Sequence, residues 1–431
     1  MKYYISIIFA LAALTFSSCK ESEPDPFYSD NEQDHDSDEI IGDDYIYHLP
    51  VIFHVLYQDK NAVDENNKRN QYVSYDRLKT ILQNVNDLYA GKLYNFGEGA
   101  DVPSENIHVQ FELALYDESG KKLKTPGVEY IKYSGEYPID CNSFMNQPKK
   151  KNKIIWNPNE YINVMVYNFK KTKDNSITLG ISNLPYKQND YPAIDGLKDA
   201  KGAINKNSLS FEYCVSINSS YINQESSRYT AADHGYKGYT YDSGDINVTL
   251  AHELGHYLGL KHVFAEKDTD TGSEPIESCT DTDYCTDTKS YNKPAYDRWL
   301  ISYIEQHKQA GNDLVMKELI KRSNDSGEEW DSDNFMDYAI SLSFRFTPEQ
   351  KYRMRQVLYY SPLIPGPKKI KNDNYGTRSQ DNDEDIDLPI CLAIEKAIPV
   401  ERASFRKEIH STNKKIKDGI HHHFRNNKKI R

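Results

Sequence analysis

The run His252-Glu253-Leu254-Gly255-His256-Tyr257-Leu258-Gly259-Leu260-Lys261-His262 reads H-E-x-x-H-x-x-G-x-x-H. Residues four apart on an α-helix share a face, so His252 and His256 can offer imidazole nitrogens to one ion. Glu253 stands beside them without being a ligand, placed to take a proton from water at the metal. Gly259 lets the backbone leave the helix in a conformation that a β-carbon would penalise. That turn brings His262 round as third ligand. Three protein ligands leave a fourth position open, which marks a catalytic rather than a structural zinc site.

Two blander accounts compete. One is a core helix whose histidines are satisfied by neighbours; it must produce five matching positions by coincidence. The other keeps zinc and drops catalysis, and it is disfavoured because Glu253 is present. Downstream, Asn334-Phe335-Met336-Asp337-Tyr338 places a methionine where metzincins carry the turn beneath their zinc ligands.

With that segment the chain resembles the pappalysin (cytophagalysin) family of metzincin endopeptidases, of the bacterial zinc-dependent metalloproteinase lipoprotein type. The matching stretches are Leu49-Pro50-Val51-Ile52-Phe53-His54-Val55, Trp156-Asn157-Pro158 with Tyr161-Ile162-Asn163-Val164, and Gly180-Ile181-Ser182-Asn183-Leu184-Pro185. The zinc motif with Val263-Phe264, Asp283-Tyr284-Cys285-Thr286-Asp287-Thr288, the MDY segment and Phe346-Thr347-Pro348-Glu349-Gln350-Lys351-Tyr352-Arg353-Met354 complete the set. Together they cover roughly residues 48–362, in order. The resemblance implies an α/β (α+β) zincin/metzincin fold. Its parts would be a twisted mixed sheet with a backing helix and an active-site helix, and an irregular C-terminal subdomain with extra helices. It further implies zinc on His252, His256 and His262, Glu253 as general base, Met336 packed under the metal, and Tyr338 reaching the cleft to stabilise the oxyanion. A packed core tyrosine is the plainer account of Tyr338.

The loop from residue 268 to 287 carries Asp268, Asp270, Asp281, Asp283 and Asp287. Oxygen-rich loops suit calcium, although the spacing is not that of an EF-hand. The resemblance implies a calcium site in this region, and an acidic solvated loop is the alternative. The family also tends to place a cysteine after MDY, and members that cut beside arginine carry an acid there. This chain has Ala339-Ile340-Ser341-Leu342-Ser343-Phe344 instead.

The elements that position these groups can be read coarsely. Residues 48–57 alternate and β-branch like a strand; 106–116, 161–169 and 213–217 do likewise. Ser74 caps a helix carrying Leu78, Ile81, Leu82, Val85 and Leu88 on one face. The zinc helix is expected to start near Asn247. Residues 296–307 and 314–322 read as helices inserted between His262 and Met336, with a structural role favoured over a substrate lid. Thr347, Pro348 and Gln350 make the capping pattern of a last helix, which Pro362 and Pro365 end.

The N-terminus points outward. Lys2 precedes an apolar run at residues 5–16, and Ser17-Ser18-Cys19 follows. The run is too short for a mature membrane span and fits a signal peptide over residues 1–18. Small residues before a cysteine resemble a lipobox, so Cys19 is expected to carry the lipid; an ordinary secretory signal is the alternative. Residues 21–44 hold many carboxylates and no Lys or Arg, which describes a solvated tether. The expected layout is a lipid-anchored acidic linker at 19–44, a metzincin catalytic domain at 45–366, and a polar, basic, disordered tail at 367–431. The expected place is the outer membrane or cell surface of a Gram-negative bacterium.

A formal net charge of −12 argues against nucleic acid as the main partner. Protein or peptide substrates, a membrane contact through the lipid alone and a monomer are expected. The six cysteines are Cys19, Cys141, Cys214, Cys279, Cys285 and Cys391. Cys279–Cys285 and Cys141–Cys214 are candidate disulfides, since export permits them. The functional expectation is a surface-anchored zinc metalloendopeptidase. The competing class is a surface adhesion lipoprotein that borrows the scaffold without cutting.

Overall fold

In the computed structural model, the first strand, β1 (Tyr47–Tyr57), is almost wholly buried and apolar. Such a run suits a strand covered on both faces, and β1 is the hub of a mixed sheet. It pairs in parallel with β2 (Val109–Leu113), β3 (Val128–Lys132) and β4 (Ile162–Tyr167). The first half of β1 takes β2 and the second half takes β3 on the same side. Strand β5 (Ile177–Asn183) runs antiparallel to β6 (Val215–Asn218), which is parallel to β4. The order from one edge inward is β7, β5, β6, β4, β1, β2, where β7 is Cys391–Lys396.

The structure describes residues 41–92, 103–146, 148, 154–171, 177–188, 194–200, 204–226, 241–270, 272–338, 340–369 and 391–396, the last as backbone only. The expected signal peptide, Cys19 and most of the expected acidic linker lie outside these residues. Among the described residues, no helix is long and apolar enough to cross a membrane.

Helix α1 (Tyr75–Tyr89) is capped by the Ser74 side chain and buries Leu78, Ile81, Leu82, Val85 and Leu88, the face expected from its spacing. A short α2 (Cys141–Asn146) follows. Helix α3 (Ile246–Tyr257) carries the zinc motif and is buried along its whole length. The Asp245 carboxylate accepts from the backbone of Asn247 and Val248 to start it. It packs on α1, where Tyr89 donates to the Ala251 carbonyl at 3.0 Å.

The insertion is helical, as expected, but unequal. Helix α4 (Lys293–Ala310) is longer than the sequence pattern suggests, and α5 (Met316–Leu319) is a single turn. The remainder of the second expected helix turns instead into a hairpin, Lys321–Ser323 against Glu329–Asp331. Together these build a small second core in which Leu300, Leu314, Met316 and Leu319 pack with Tyr241, Ile340, Leu342 and Phe344. Helix α6 (Pro348–Tyr360) closes the unit with the predicted capping box of Thr347 and Gln350.

Two expectations need correction. Cys141, Cys214, Cys279 and Cys285 are free thiols, not disulfides. Cys214 faces the Met145 sulfur at 3.3 Å, and Cys279 donates to Asp325. The chain beyond Gly366 is also not devoid of order: β7 completes the sheet by pairing antiparallel with β5.

Candidate metal centre

Helix α3 sets His252 and His256 one turn apart, and the chain reverses immediately after it. Gly259 takes φ +93°, the left-handed conformation expected of it, and its carbonyl accepts from Arg353 of α6 at 2.7 Å. The reversal returns His262 to the helix: the Nε2 atoms of His256 and His262 lie 3.2 Å apart.

All three imidazoles are buried, and each is gripped by its other nitrogen. His252 Nδ1 donates to the Phe335 carbonyl at 2.6 Å, and His256 Nδ1 to the Leu260 carbonyl at 2.8 Å. His262 Nδ1 meets the Glu266 carboxylate at 2.8 Å. These bonds fix the tautomers with protons on Nδ1, so the Nε2 atoms present lone pairs. Two inward lone pairs at 3.2 Å repel unless a cation lies between them. The third, His252 Nε2, is buried with no hydrogen-bond partner. Burial pushes His252 down to about 3, with His262 adding to the effect; burial likewise drives His256 well below its usual value. Neutral imidazoles are the form that binds metal. Among the described residues, these three are the one cluster of side chains grouped tightly enough to hold an ion.

Glu253 is buried on the same helix and lies against β5. A β-carbon at Gly180 would stand 2.6 Å from Glu253 Oε1, so glycine there makes room for the carboxylate. Met336 is fully buried, packs against Gly255 of α3, and accepts through its carbonyl from the Val263 backbone at 3.2 Å. The Tyr338 ring packs edge-on against His262 at 4.9 Å and against Phe264 at 4.8 Å, with Lys293 over its face at 4.6 Å.

The segment around Met336 is held from the insertion. Arg322 donates to the Asp337 carboxylate at 3.1 Å and to the Ile340 carbonyl at 2.8 Å. Its guanidinium is stacked 3.9 Å from the centre of the Tyr296 ring. The same Asp337 carboxylate accepts from Tyr291 and from the Tyr338 backbone, both at 2.7 Å, and from Ser332.

Asp281 and Asp283 are neighbours, but the five candidate calcium aspartates do not come together as one cluster. Asp268 pairs with Lys261, and Asp283 accepts from the Cys285 backbone and the Thr288 hydroxyl. Asp281 accepts from the Asp283 backbone, and Asp287 caps α6 through Thr347 and the Glu349 backbone. The exposed Asp270 accepts from Lys198 through its carbonyl. These contacts brace the loop.

Sequence reasoning missed Glu266, although its place four residues after His262 is a readable signal. It also missed Arg322 and the role of Asp337, because partners 15 residues apart meet only through the insertion's fold.

Residues 218–359 match the peptidase M43 family model, described as pregnancy-associated plasma protein-A. Among solved structures, the chain is similar to mature mirolysin of Tannerella forsythia in complex with a cleaved peptide, at 19% identity and a TM-score of 0.41, covering 73% of this chain and 92% of that one. Promirolysin of the same organism matches at 18% identity and 0.41, over 73% and 81%. Mirolysin in complex with compound 9 matches at 18% identity and 0.42, over 73% and 92%. No curated protein matches the chain.

Proposed function

We propose that this chain is a metalloprotease of the pappalysin family, a surface-anchored zinc endopeptidase with Glu253 as its general base. The observation that carries the zinc reading is the convergence of three buried imidazoles whose outer nitrogens are already bonded. His252, His256 and His262 would hold the ion. Bound zinc supplies Lewis acidity, lowering the pKa of a coordinated water towards about 7 and polarising the scissile carbonyl.

The chain's own groups do the rest. Glu253, on the helix turn between the two helical histidines and beside Gly180, takes the proton released by water and passes it to the leaving amine. Tyr338, packed edge-on against His262, is assigned the stabilisation of the developing oxyanion. The Phe335 carbonyl holds His252 in place, and Met336 packs against Gly255 of the same helix. Cys19 is assigned the lipid that tethers the domain, through the acidic linker, to the outer face of the cell.

The deciding experiment is cleavage of denatured casein with and without chelator by the parent and by Glu253→Ala. The variant should keep one zinc per chain and lose turnover by several orders of magnitude. Near-normal turnover in that variant removes Glu253 from the mechanism. Zinc binding without any cleavage, by the parent or by a form shortened after residue 369, supports the adhesion class instead.

A further inference from the structure

Strand β5 would be the edge of the sheet if the chain stopped at α6, because its other neighbour is β6. A bare edge offers a row of unpaired N–H and C=O groups, the rail on which extended peptides pair. This edge lies at the metal centre, since Gly180 of β5 backs directly onto the Glu253 carboxylate. It is not bare. Strand β7 pairs along it from Cys391 opposite Asn183 to Lys396 opposite Ile177, and Ile394 stands opposite Gly180. The occupant's backbone therefore runs one ladder spacing, about 4.8 Å, from the residue that abuts the proposed base. It also packs along α3.

The sequence of the occupant suits an extended segment. Cys391-Leu392-Ala393-Ile394 is an unbroken apolar run, and Pro389 and Pro399 bracket the strand. Residues 370–390 join it to the end of the described domain, and the closure cost of such a span rises only slowly with its length.

We propose that β7 is the chain's own occupant of its peptide-binding edge, so that the C-terminal tail closes β5 to extended substrates until it is displaced. This rests on the reading of the site as a protease. It predicts an enzyme whose full-length form is restrained and whose restraint lies in backbone pairing.

The test uses the full-length chain with Ala393→Pro and Ile394→Pro together. Successive N–H groups of a strand point to opposite sides, so one of the two lost donors faces β5. Zinc content and thermal unfolding confirm that the domain is intact. Two readouts are taken. The first is kcat/KM on a quenched peptide drawn from a casein cleavage site, expected to rise at least tenfold, chiefly through KM. The second is anisotropy of a labelled synthetic peptide of residues 388–399, with Glu253→Ala added to both proteins. The peptide should bind the proline form and not the parent, and unlabelled casein peptides should compete.

If the proline protein does not fold, a specific protease site placed within residues 370–390 and cut after purification opens the edge instead, read after dilution in the same two ways. Equal kcat/KM in closed and opened forms, or equal peptide binding by both, overturns the proposal while leaving the protease reading intact. Peptide binding by the opened form alone, with no form cleaving any substrate, upholds strand docking and overturns the protease reading.

Discussion

Glu266 and His262 form a buried carboxylate–imidazole pair with Oε2 and Nδ1 2.8 Å apart. Burial pushes the Glu266 carboxyl up, but His262, Ser273 and Lys261 outweigh it and hold the group below its ordinary value. The carboxylate is therefore charged where it meets the imidazole. It orients His262 and raises the basicity of the nitrogen that faces the metal. His252 and His256 have only backbone carbonyls in that position.

Glu266→Gln keeps a hydrogen-bond acceptor and removes the charge. Zinc affinity, read by competition with a chromophoric chelator, should fall about 10- to 100-fold while the fold survives. Unchanged affinity would mean that the pair is packing alone.

Legibility differed between these partners for a physical reason. The histidines and Glu253 share one helix and one turn, so local periodicity places them. The backing helix and the strands that carry the core were readable for the same reason, through regular spacing of apolar residues. Arg322, Asp337 and Gly180 acquire meaning only when separate elements meet: a hairpin against the segment after Phe335, and a strand against α3. The strand β7 was hidden because six apolar and charged residues in a polar tail carry no periodic signal. Its partner, β5, lies about 210 residues earlier in the chain. The cysteine pairings failed because an even count and a small loop say nothing about which sulfurs face each other.

Gly180 offers a direct test of the strand's place beside the base. A methyl group there would stand 2.6 Å from both Cγ and Oε1 of Glu253. The carboxylate must move, because β5 is fixed in the sheet by β6. Gly180→Ala should therefore keep zinc and lower kcat by about 10²-fold, the scale on which an ångström of misplacement acts. A variant that turns over normally would show that the Glu253 position is not critical.

Asp283 makes a prediction about pH. Burial, reinforced by the neighbouring charge of Asp281, pushes its carboxyl up to about 8. The unfolded chain releases that proton near 3.9, so the folded state holds more protons between those values. Stability from this group is present in full below about 4 and is lost progressively as pH rises towards 8. Asp283→Asn keeps an oxygen for the Cys285 N–H and cannot ionise. The melting temperature of the variant should therefore fall less than that of the parent between pH 5 and pH 8, both measured without metal. Parallel curves would place the ionised form of Asp283 in the native state throughout.

Specificity follows from where the one acid beside the MDY tyrosine is spent. A cationic substrate side chain in a pocket needs a carboxylate partner, because an unpaired buried charge is costly. Asp337 is fully engaged by Arg322, Tyr291, Ser332 and the Tyr338 backbone. Releasing it to a substrate would strand the buried Arg322. The residues that follow offer no substitute: Ile340, Leu342 and Phe344 pack into the second core with α4 and α5, and Ser341 and Ser343 are buried. Cleavage of a peptide library should therefore show no strict preference for Arg or Lys after the scissile bond, with apolar residues accepted. A profile dominated by one basic residue would require an acid from another part of the cleft. Exchanging the acids there for amides, one at a time, would then identify it by the loss of that preference.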